Sequence, residues 1–579
     1  MKSLPLFVMH AITSFKIQLK KGEASLKRIL LSLLFVSLLT VIAACGFDES
    51  NEQNQNNNNA DNGDQEVNAD SDESTGENAI NLFESSEIPT LDSSHAHDTV
   101  NIPTLNNINE GLYRDDENHQ PQLALAESDE LNEDETEHTF TLKETTWSNG
   151  DPVTAHDFEY AWKRTFEEVG HYADMFVTAN IKNAQEILDE EMDPDELGVE
   201  AKDDNTLVVT LESPNPLFKN LMAFPTFFPQ NQEFVEEKGD DYGTEADNVL
   251  FNGPFILDSW EHDKGWVMKK NPDYWDAENV ELDKINVNVV KDTSTLVNLW
   301  ETGELDRIEL SSSYVDEYKD DDSFVTEERP SIIFLRMNHN QEAFQNADIR
   351  KALDMSVDKE SMTDVILNDG SKPLYGLIPS DFSFTSDEED FRDLNGSFNE
   401  GSAEEAQELW EKGLEEIGEE GLDMKLTVSD DESHQKVAEY IKDQLESNLD
   451  GMSLEIKKVP FEARLEQEKD VDYDMVISTW APDYNDPLTF LEMWMTDGSA
   501  NRMDYSDEKY DDLIDKIREE TDESKRFDMM LEAEKTLMDE MHILPMVQDA
   551  DAILMKQNID GFVRHPAGAG YDYKWTKVK

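Results

Sequence analysis

The sequence predicts a mixed α/β protein with at least two lobes. Its 579 residues are too many for one hydrophobic core, because single cores rarely grow beyond about 250–300 residues. Short apolar runs rich in β-branched residues alternate along the chain with longer segments of helical periodicity, which is the pattern of α/β lobes. Ten Trp and 27 Phe supply large side chains for such cores. No internal repeat is evident.

The N-terminal half of the folded region can be followed in order. It is expected to begin near residues 87–92, and residues 138–142 alternate polar and apolar side chains as a strand does. Asn149-Gly150 predicts a tight turn. A helix is predicted at residues 154–164, because Thr154 is a favourable N-cap and apolar positions follow it at helical spacing.

The C-terminal half continues the alternation of strands and helices. The predicted strands are residues 287–290, 331–335, 425–428 and 454–457, and the predicted helical segments are 344–367, 402–417 and 437–449.

This series leads into residues 473–487, the stretch around which the chain is organised. Residues 475–477 predict a buried strand, and the prolines after it end regular pairing, so Asp483 is expected on a loop just past the strand. Ligands of α/β sheets bind at such strand ends. Trp480 and Tyr484 beside a lone acid suit a site that closes over a cationic group. From this stretch alone a surface turn is an equal alternative.

The charge balance excludes one class of partner. Asp and Glu outnumber Lys and Arg by 131 to 48, a formal net charge of −83. Nucleic acid is not expected to bind, because phosphate recognition needs clustered Lys and Arg. The many apolar runs argue against disorder of the whole chain. We interpret the charge as an acidic surface that stays soluble in concentrated salt, and expect a halophile or an alkaline-living source.

The N-terminus predicts an exported lipoprotein. Lys27-Arg28 precedes the apolar residues 29–44, a basic and apolar pattern typical of a secretory signal and too short for a membrane span. The run that ends at Cys45 resembles a bacterial lipobox, in which the cysteine becomes the acylated first residue, carrying chains such as palmitate. Cys45 is the only cysteine, so no disulfide is expected. Residues 1–25 are interpreted as an upstream extension or a misplaced start.

After Cys45 the chain lacks large apolar residues as far as about Asn81, which predicts a disordered acidic tether. An Asp-rich run at residues 61–64 lacks the closing Glu of a calcium loop, so a tether is the better interpretation.

The order of motifs resembles the extracellular solute-binding proteins of family 5, the oligopeptide- and dipeptide-binding lipoproteins of peptide ABC transporters. The resemblance covers residues 88–579. The motifs that carry it are residues 105–114, 121–128, 147–153, 252–255, 270–275, 282–286, 298–306, 333–338, 347–358 and 473–487.

The resemblance implies a two-lobed fold of the periplasmic-binding-protein type II kind, with an extra subdomain and a ligand cleft between the lobes. The chain would cross between lobes near residues 335–338 and 545–548, where a hinge rotation can be absorbed. The implied divisions are a signal at 1–44, a lipidated tether at 45–80, lobe I at 81–112, 254–336 and 548–579, a subdomain at 113–253, and lobe II at 337–547.

The resemblance also implies the site. Asp483 lies where peptide-binding members carry the acid that pairs the ligand's α-amine, and Trp480 where they place an aromatic in the cleft. Tyr484 and Asn485 join the expected ligand contacts, as does Tyr172, for which a packing role is an equal alternative. His95 and His97 could suggest a metal, but a pair without a third ligand is weak, so no metal is expected.

Two departures leave the ligand's carboxylate end open. Ile477 is apolar, and residues 544–548 lack the tyrosines of many members. A longer peptide held mostly by its backbone would fit. The approach to Trp480, where some members have basic residues, contains only Lys469 among the acids Glu466, Glu468, Asp470 and Asp472.

The implied function is peptide capture in a closing cleft and delivery to an ABC permease. The protein is expected to act as a monomer on the outer face of a Gram-positive membrane, with no cofactor. An enzyme is not expected, because the sequence lacks a G-x-S-x-G elbow, an H-E-x-x-H helix and a P-loop. A binder of nickel, haem or oligosaccharide with the same fold, and a signalling-peptide receptor, remain alternatives.

Overall fold

The computed structural model describes residues 78–579 apart from residues 169, 497 and 499. The predicted signal, the lipidation of Cys45 and nearly all of the predicted tether lie outside the described residues. The first strand begins at Ala79, earlier than the start near Glu87 expected from the sequence. Ile80 and Leu82 are buried because this strand pairs with one some 200 residues later in the chain. That long-range partner is not visible in the local composition.

Within the described part of the chain there are twenty-one strands. They are β1 (Ala79–Glu84), β2 (Tyr113–Asp115), β3 (Pro121–Leu123), β4 (Ala126–Leu131), β5 (Glu137–Leu142), β6 (Val199–Asp203), β7 (Thr206–Thr210), β8 (Phe255–Glu261), β9 (Gly265–Lys270), β10 (Lys284–Val289), β11 (Arg307–Leu310), β12 (Phe324–Met337), β13 (Lys372–Pro373), β14 (Leu422–Ser429), β15 (Met452–Val459), β16 (Met475–Trp480), β17 (Leu544–Met555), β18 (Ile559–Asp560), β19 (Val563–Arg564), β20 (Tyr571–Asp572) and β21 (Lys577–Val578).

The α-helices range from single turns to 17 residues. They are Asn101–Ile108, Ala155–Glu167, Asp174–Thr178, Ala184–Leu188, Phe218–Leu221, Gln232–Lys238, Thr293–Thr302, Ser312–Tyr318, Glu342–Gln345, Ala347–Met355, Lys359–Ser361, Phe391–Asn395, Ala403–Ile417, Glu432–Asn448, Phe461–Lys469, Leu488–Leu491, Glu508–Glu519 and Glu523–Met538, with a π-helical turn at Met362–Leu367.

Local sequence signals explain where several elements begin. Thr154 and Asp157 form a capping box, in which the Thr154 backbone N–H donates to Asp157 Oδ2 at 2.8 Å. Ser402 and Glu405 do the same for the next long helix. Each box satisfies backbone N–H groups that have no partner inside the helix. Gly150 adopts φ +91°, as the predicted turn requires.

Three larger sheets organise the fold. The central one has seven strands in the order β11-β17-β12-β16-β14-β15, with β13 added on β17. A four-stranded sheet has the order β1-β10-β9-β8, and another the order β4-β5-β7-β6. The predicted helices at residues 402–417 and 437–449 and the strands at 425–428 and 454–457 are confirmed.

The two segments expected to cross between lobes are paired neighbours. β12 and β17 run antiparallel, with Ile333 opposite Val547 and Leu335 opposite Leu544. Their register shifts between residues 328 and 332 and again between Ile333 and Phe334. Irregularities of this kind bend and twist a strand locally.

β12 contributes to two separate hydrophobic cores. Ile332 and Phe334 belong to one core, whereas Ile333, Leu335 and Met337 belong to the other. This follows from the alternation of side chains on a strand, which sends successive residues to opposite faces of the sheet. No helix in residues 78–579, as described, is long and apolar enough to cross a membrane.

Candidate functional site

The loop that follows β16 carries the predicted anchor, Asp483. β16 lies antiparallel to β12, with Ile332 opposite Trp480, and parallel to β14. Its first four residues are buried, which confirms the buried strand predicted at residues 475–477. Pairing ends at Trp480 and Pro482 follows, since proline cannot donate to a ladder. Asp483 therefore lies just past the end of a central strand, as predicted.

The two acids of this loop differ in how their charge is met. Arg526 donates to Asp486 Oδ2 from Nη1 at 2.6 Å and to Oδ1 from Nη2 at 2.9 Å. Oδ1 also accepts the backbone N–H of Leu488. Among the described residues, the Asp483 carboxylate has neither an ion pair nor a hydrogen bond. The Asp486 charge is thus met within the protein, whereas the Asp483 charge is not met by any described residue.

Burial makes the Asp483 charge costly. It raises the pKa of this carboxyl from 3.8 to about 6, and the negative charges of Asp174 and Glu492 add to the increase. A buried carboxylate without a partner is unfavourable, and a cation placed beside it relieves that cost. The electrostatics therefore favour a positively charged ligand group at this position.

Thr489 connects the indole of Trp480 to the Asp483 backbone. Its Oγ1 accepts Trp480 Nε1–H and the Asp483 backbone N–H, each at a long 3.4 Å. Thr489 is buried, whereas Trp480 is half-buried and packs at the edge of the larger core. One hydroxyl thus positions both the aromatic ring and the acid.

Tyr484 and Asn485 have distinct surroundings. Tyr484 is buried, and its hydroxyl donates to Glu492 Oε1 at 2.6 Å. Asn485 Nδ2 donates to the backbone oxygen of His119 at 3.5 Å, a weak contact with the β2–β3 hairpin. The Tyr484 hydroxyl is therefore already engaged, while Asn485 connects the Asp483 loop to a distant part of the chain.

Tyr172, whose role the sequence left open, packs among aromatic rings. Its ring packs edge-on against Phe224 at 4.8 Å and against His171 at 5.1 Å between ring centroids. Burial raises the pKa of Tyr172 to about 12, and the next contribution is the charge of Asp483. The structure therefore brings Tyr172 within electrostatic range of the predicted anchor.

The two histidines considered as metal ligands, His95 and His97, contact different neighbours. His97 stacks on His171 at 4.5 Å between centroids, and His95 Nε2 lies 3.9 Å from Glu168. Across the described ranges, no group of three or more His, Cys, Asp or Glu side chains could hold a metal ion.

A small cavity of about 20 Å³ opens beside Asp483. Asp483 and Asp115 are its charged lining residues. The remaining lining is mostly apolar and comes from several elements, namely Met175, Asn220, Leu221, Ala223, Phe224, Tyr484, Asn485 and residues 567–569.

A second cavity of about 310 Å³ is lined in part by His565 and Pro566, which directly precede the residues 567–569 that line the first cavity. Its volume is at the lower end of the range for small-molecule sites, about 300–1,000 Å³. Arg329 and Arg564 line it, and Arg564 donates to Glu327 at 2.7 Å and to Asp551 at 3.0 Å. Arg329 has a looser contact, 3.5 Å from Asp551.

The acids expected to crowd the approach to Trp480 are partly neutralised. Glu468 is buried and accepts hydrogen bonds from Arg464 and, at 3.0 Å, from Ser478. Arg336 Nε and Arg502 Nη1 lie 3.8 and 3.9 Å from it. Arg464 is an i,i+4 neighbour on the same helix, whereas Arg336 and Arg502 come from distant parts of the sequence, which local sequence could not reveal.

Several neighbours of Asp483 were not predicted. Thr489, Asp174 and Phe224 approach it only through the tertiary fold. A Cβ on Gly568 would lie 3.6 Å from the Phe224 ring and 4.0 Å from the Asp483 carbonyl oxygen. Asp115 is the last residue of the short strand β2, and an acid at a strand end is a signal that could have found it.

The family of the chain follows from comparison with known proteins. Residues 120–502 match the model described as bacterial extracellular solute-binding proteins, family 5 Middle. The chain belongs to this family. The family resemblance and the fold class, mixed α/β and two-lobed, are therefore confirmed.

Relatives of this family 5 protein include two from Bacillus subtilis (strain 168). The chain is 34% identical over 514 residues to the dipeptide-binding protein DppE, covering 88% of this chain and 94% of the relative. It is 29% identical over 511 residues to the oligopeptide-binding protein OppA, covering 86% and 92%. These relatives are solute-binding proteins.

Solved structures agree with this. The Listeria monocytogenes OppA bound to peptide is 41% identical, with a TM-score of 0.72, over 87% of this chain and 99% of that chain. The pheromone receptor PrgZ is 32% identical, with a TM-score of 0.72, over 87% and 100%.

Proposed function

We propose that this family 5 protein captures peptides and delivers them to an ABC importer, with Asp483 pairing the peptide's α-ammonium. The single observation that supports this most is the unpaired Asp483 carboxylate, which lines a cavity and is within electrostatic range of Tyr172. Relatives whose names state dipeptide or oligopeptide binding support the same ligand class.

The lobes would close around the ligand. Lobe I (81–112, 254–336 and 548–579) and its subdomain (113–253) would move relative to lobe II (337–547). The paired crossings β12 and β17, with their register shifts, support a hinge at this point. Closure strengthens the ion pair, because the same charges exposed to water would gain about 1 kcal/mol or less.

The larger cavity would hold the rest of the peptide. Arg329 and Arg564 are candidate partners for the ligand's carboxylate, which the sequence left without one. Trp480, Tyr484, Asn485 and Tyr172 would surround the first residue of the ligand.

We also propose that the mature protein is a monomeric lipoprotein on the outer face of a Gram-positive membrane, anchored through Cys45. Two acyl chains give lasting attachment where one does not. Cys45→Ser is expected to yield unprocessed or soluble protein in cell fractionation. Normal processing and membrane retention of this variant would refute the anchor.

Sensing is the second candidate. The 32% identity to a pheromone receptor favours it, because the same capture chemistry would serve a receptor. Neighbouring genes for a permease and an ATPase would favour uptake.

Two measurements test the proposed function. Native mass spectrometry of the protein purified from cells should show bound peptides and their lengths. Calorimetry should show that N-acetylation of a short peptide weakens binding by roughly a hundredfold. Equal affinity for free and acetylated peptides would refute the role of Asp483.

A further inference from the structure

A second carboxylate, that of Asp115, lines the cavity beside Asp483. Asp115 ends β2, which pairs with β3 in a short hairpin. The preceding residue, Arg114, points elsewhere: its Nε donates to Asp572 Oδ2 at 2.9 Å and its Nη1 to the Asn106 backbone oxygen at 2.9 Å. Arg114 therefore donates its hydrogen bonds to Asp572 and Asn106 and not to Asp115.

The Asp115 carboxylate lacks the partners that a buried acid normally has. Its Oδ1 is buried and has no hydrogen-bond partner within the described residues. Burial raises the pKa of Asp115 to about 6, and the charge of Asp572 adds to the increase. Buried polar atoms are nearly always hydrogen-bonded. A buried carboxylate oxygen without a partner at a cavity therefore indicates a place for a ligand group.

The nearby histidines do not supply a hydrogen-bond partner for the Asp115 carboxylate. His565 lowers the pKa of Asp115, but its Nδ1 is 3.0 Å from Nδ1 of His119, and its Nε2 faces Asp572 at 3.7 Å. The pKa of His119 falls to about 4 through burial, so His119 is neutral near pH 7. The lining of the cavity itself contains two carboxylates and no Lys or Arg.

The rest of the lining suits a long basic side chain. Met175, Leu221, Ala223 and Phe224 present apolar surface between the polar groups. Lys and Arg side chains place their methylene stems along such surface and hold the charged head in polar surroundings. At about 20 Å³ the cavity is too small for such a side chain in this conformation, so binding requires the cavity to widen.

Building on the proposed function, we propose that Asp115 determines specificity for peptides whose first residue is Lys or Arg. Asp483 takes the α-ammonium, and Asp115 takes the side-chain cation. Two carboxylates on one cavity are then each matched by one positive charge of the same ligand residue, so neither remains buried and unpaired.

The test is calorimetry with two tripeptides, lysyl-alanyl-alanine and norleucyl-alanyl-alanine, which differ at the first residue by a terminal charge. The wild type is expected to bind the lysyl peptide at least roughly tenfold more tightly. Asp115→Asn should reduce this ratio to within about twofold, since the amide keeps the shape and loses the charge. The control Glu117→Gln removes an exposed acid two residues away and should keep the ratio.

The outcomes separate this inference from the proposed function. Equal wild-type affinities, or a lysyl preference that survives in Asp115→Asn, would overturn the inference. If the norleucyl peptide still binds and N-acetylation still weakens it, the proposed function stands regardless. Failure of the wild type to bind either peptide would overturn both. Should Asp115→Asn misfold, Asp115→Ser and the wild-type ratio decide, and melting temperatures report folding.

Discussion

Asp486 and Arg526 form a two-point ion pair three residues beyond Asp483, with N–O distances of 2.6 and 2.9 Å. The two acids of this loop therefore differ in their surroundings, since Asp486 is paired and the Asp483 carboxylate has no ion pair among the described residues. This contrast makes Asp486 a matched comparison for substitutions of Asp483.

Asp483→Ala is expected to lose roughly 3–5 kcal/mol of peptide binding, about a hundredfold or more in affinity, because the α-ammonium stays buried without a partner. Its folding should be unharmed. Asp486→Ala should instead lower the melting temperature, since Arg526 is buried and would be left unpaired. Calorimetry and thermal unfolding of both variants check this. An Asp483→Ala variant that binds like the wild type would contradict the site.

The pH dependence of stability follows from the raised pKa of Asp483. The folded pKa, about 6, lies above the unfolded value of 3.8, so the folded state binds the proton more tightly. This group therefore destabilises the ligand-free protein above pH 6, and the penalty disappears as pH falls below about 4. Asp483→Asn should be more stable than the wild type at pH 7.5, by up to about 3 kcal/mol, and the difference should shrink towards pH 4.

Protonation of Asp483 stabilises the ligand-free fold but weakens peptide binding. Peptide affinity should fall as pH drops below about 6, because the carboxylate is neutralised. Asp483→Asn should show no such fall. If the wild type and Asp483→Asn lose the same affinity at low pH, the titrating group is not Asp483.

Thr489→Val removes the hydroxyl that contacts Trp480 and Asp483 while keeping the side-chain shape. A net loss of about 0.5–1.5 kcal/mol is expected, which is roughly a two- to tenfold loss of affinity through misplacement of the acid. Because the loss acts through Asp483, Thr489→Val should have little further effect in an Asp483→Ala background. Additive losses in the double variant would refute the positioning role.

The net charge of −83 should make stability depend on salt. The electrostatic screening length falls to about 3 Å near 1 M salt, and this relieves repulsion among surface acids. The melting temperature is expected to rise between dilute buffer and molar sodium chloride. No rise would count against the interpretation of the charge as an adaptation to salt.

The sequence predicted what local patterns encode. The apolar run and proline placement located β16 and put Asp483 past its end, and the N-cap Thr154 marked a helix start. What it missed depends on chain segments that are distant in sequence. Asp174 and Phe224 approach Asp483 from more than 250 residues away, and the unpaired oxygen of Asp115 becomes visible only when all its neighbours are placed.

The alternation of β12 between two cores has a consequence for unfolding. Phe334 packs into one core and its neighbour Leu335 into the other, so losing this one strand removes packing from both at once. Neither core can then be disrupted independently at its centre, since both share the same backbone. A two-lobed chain of this kind is expected to melt cooperatively, in one calorimetric transition whose van't Hoff and measured enthalpies agree.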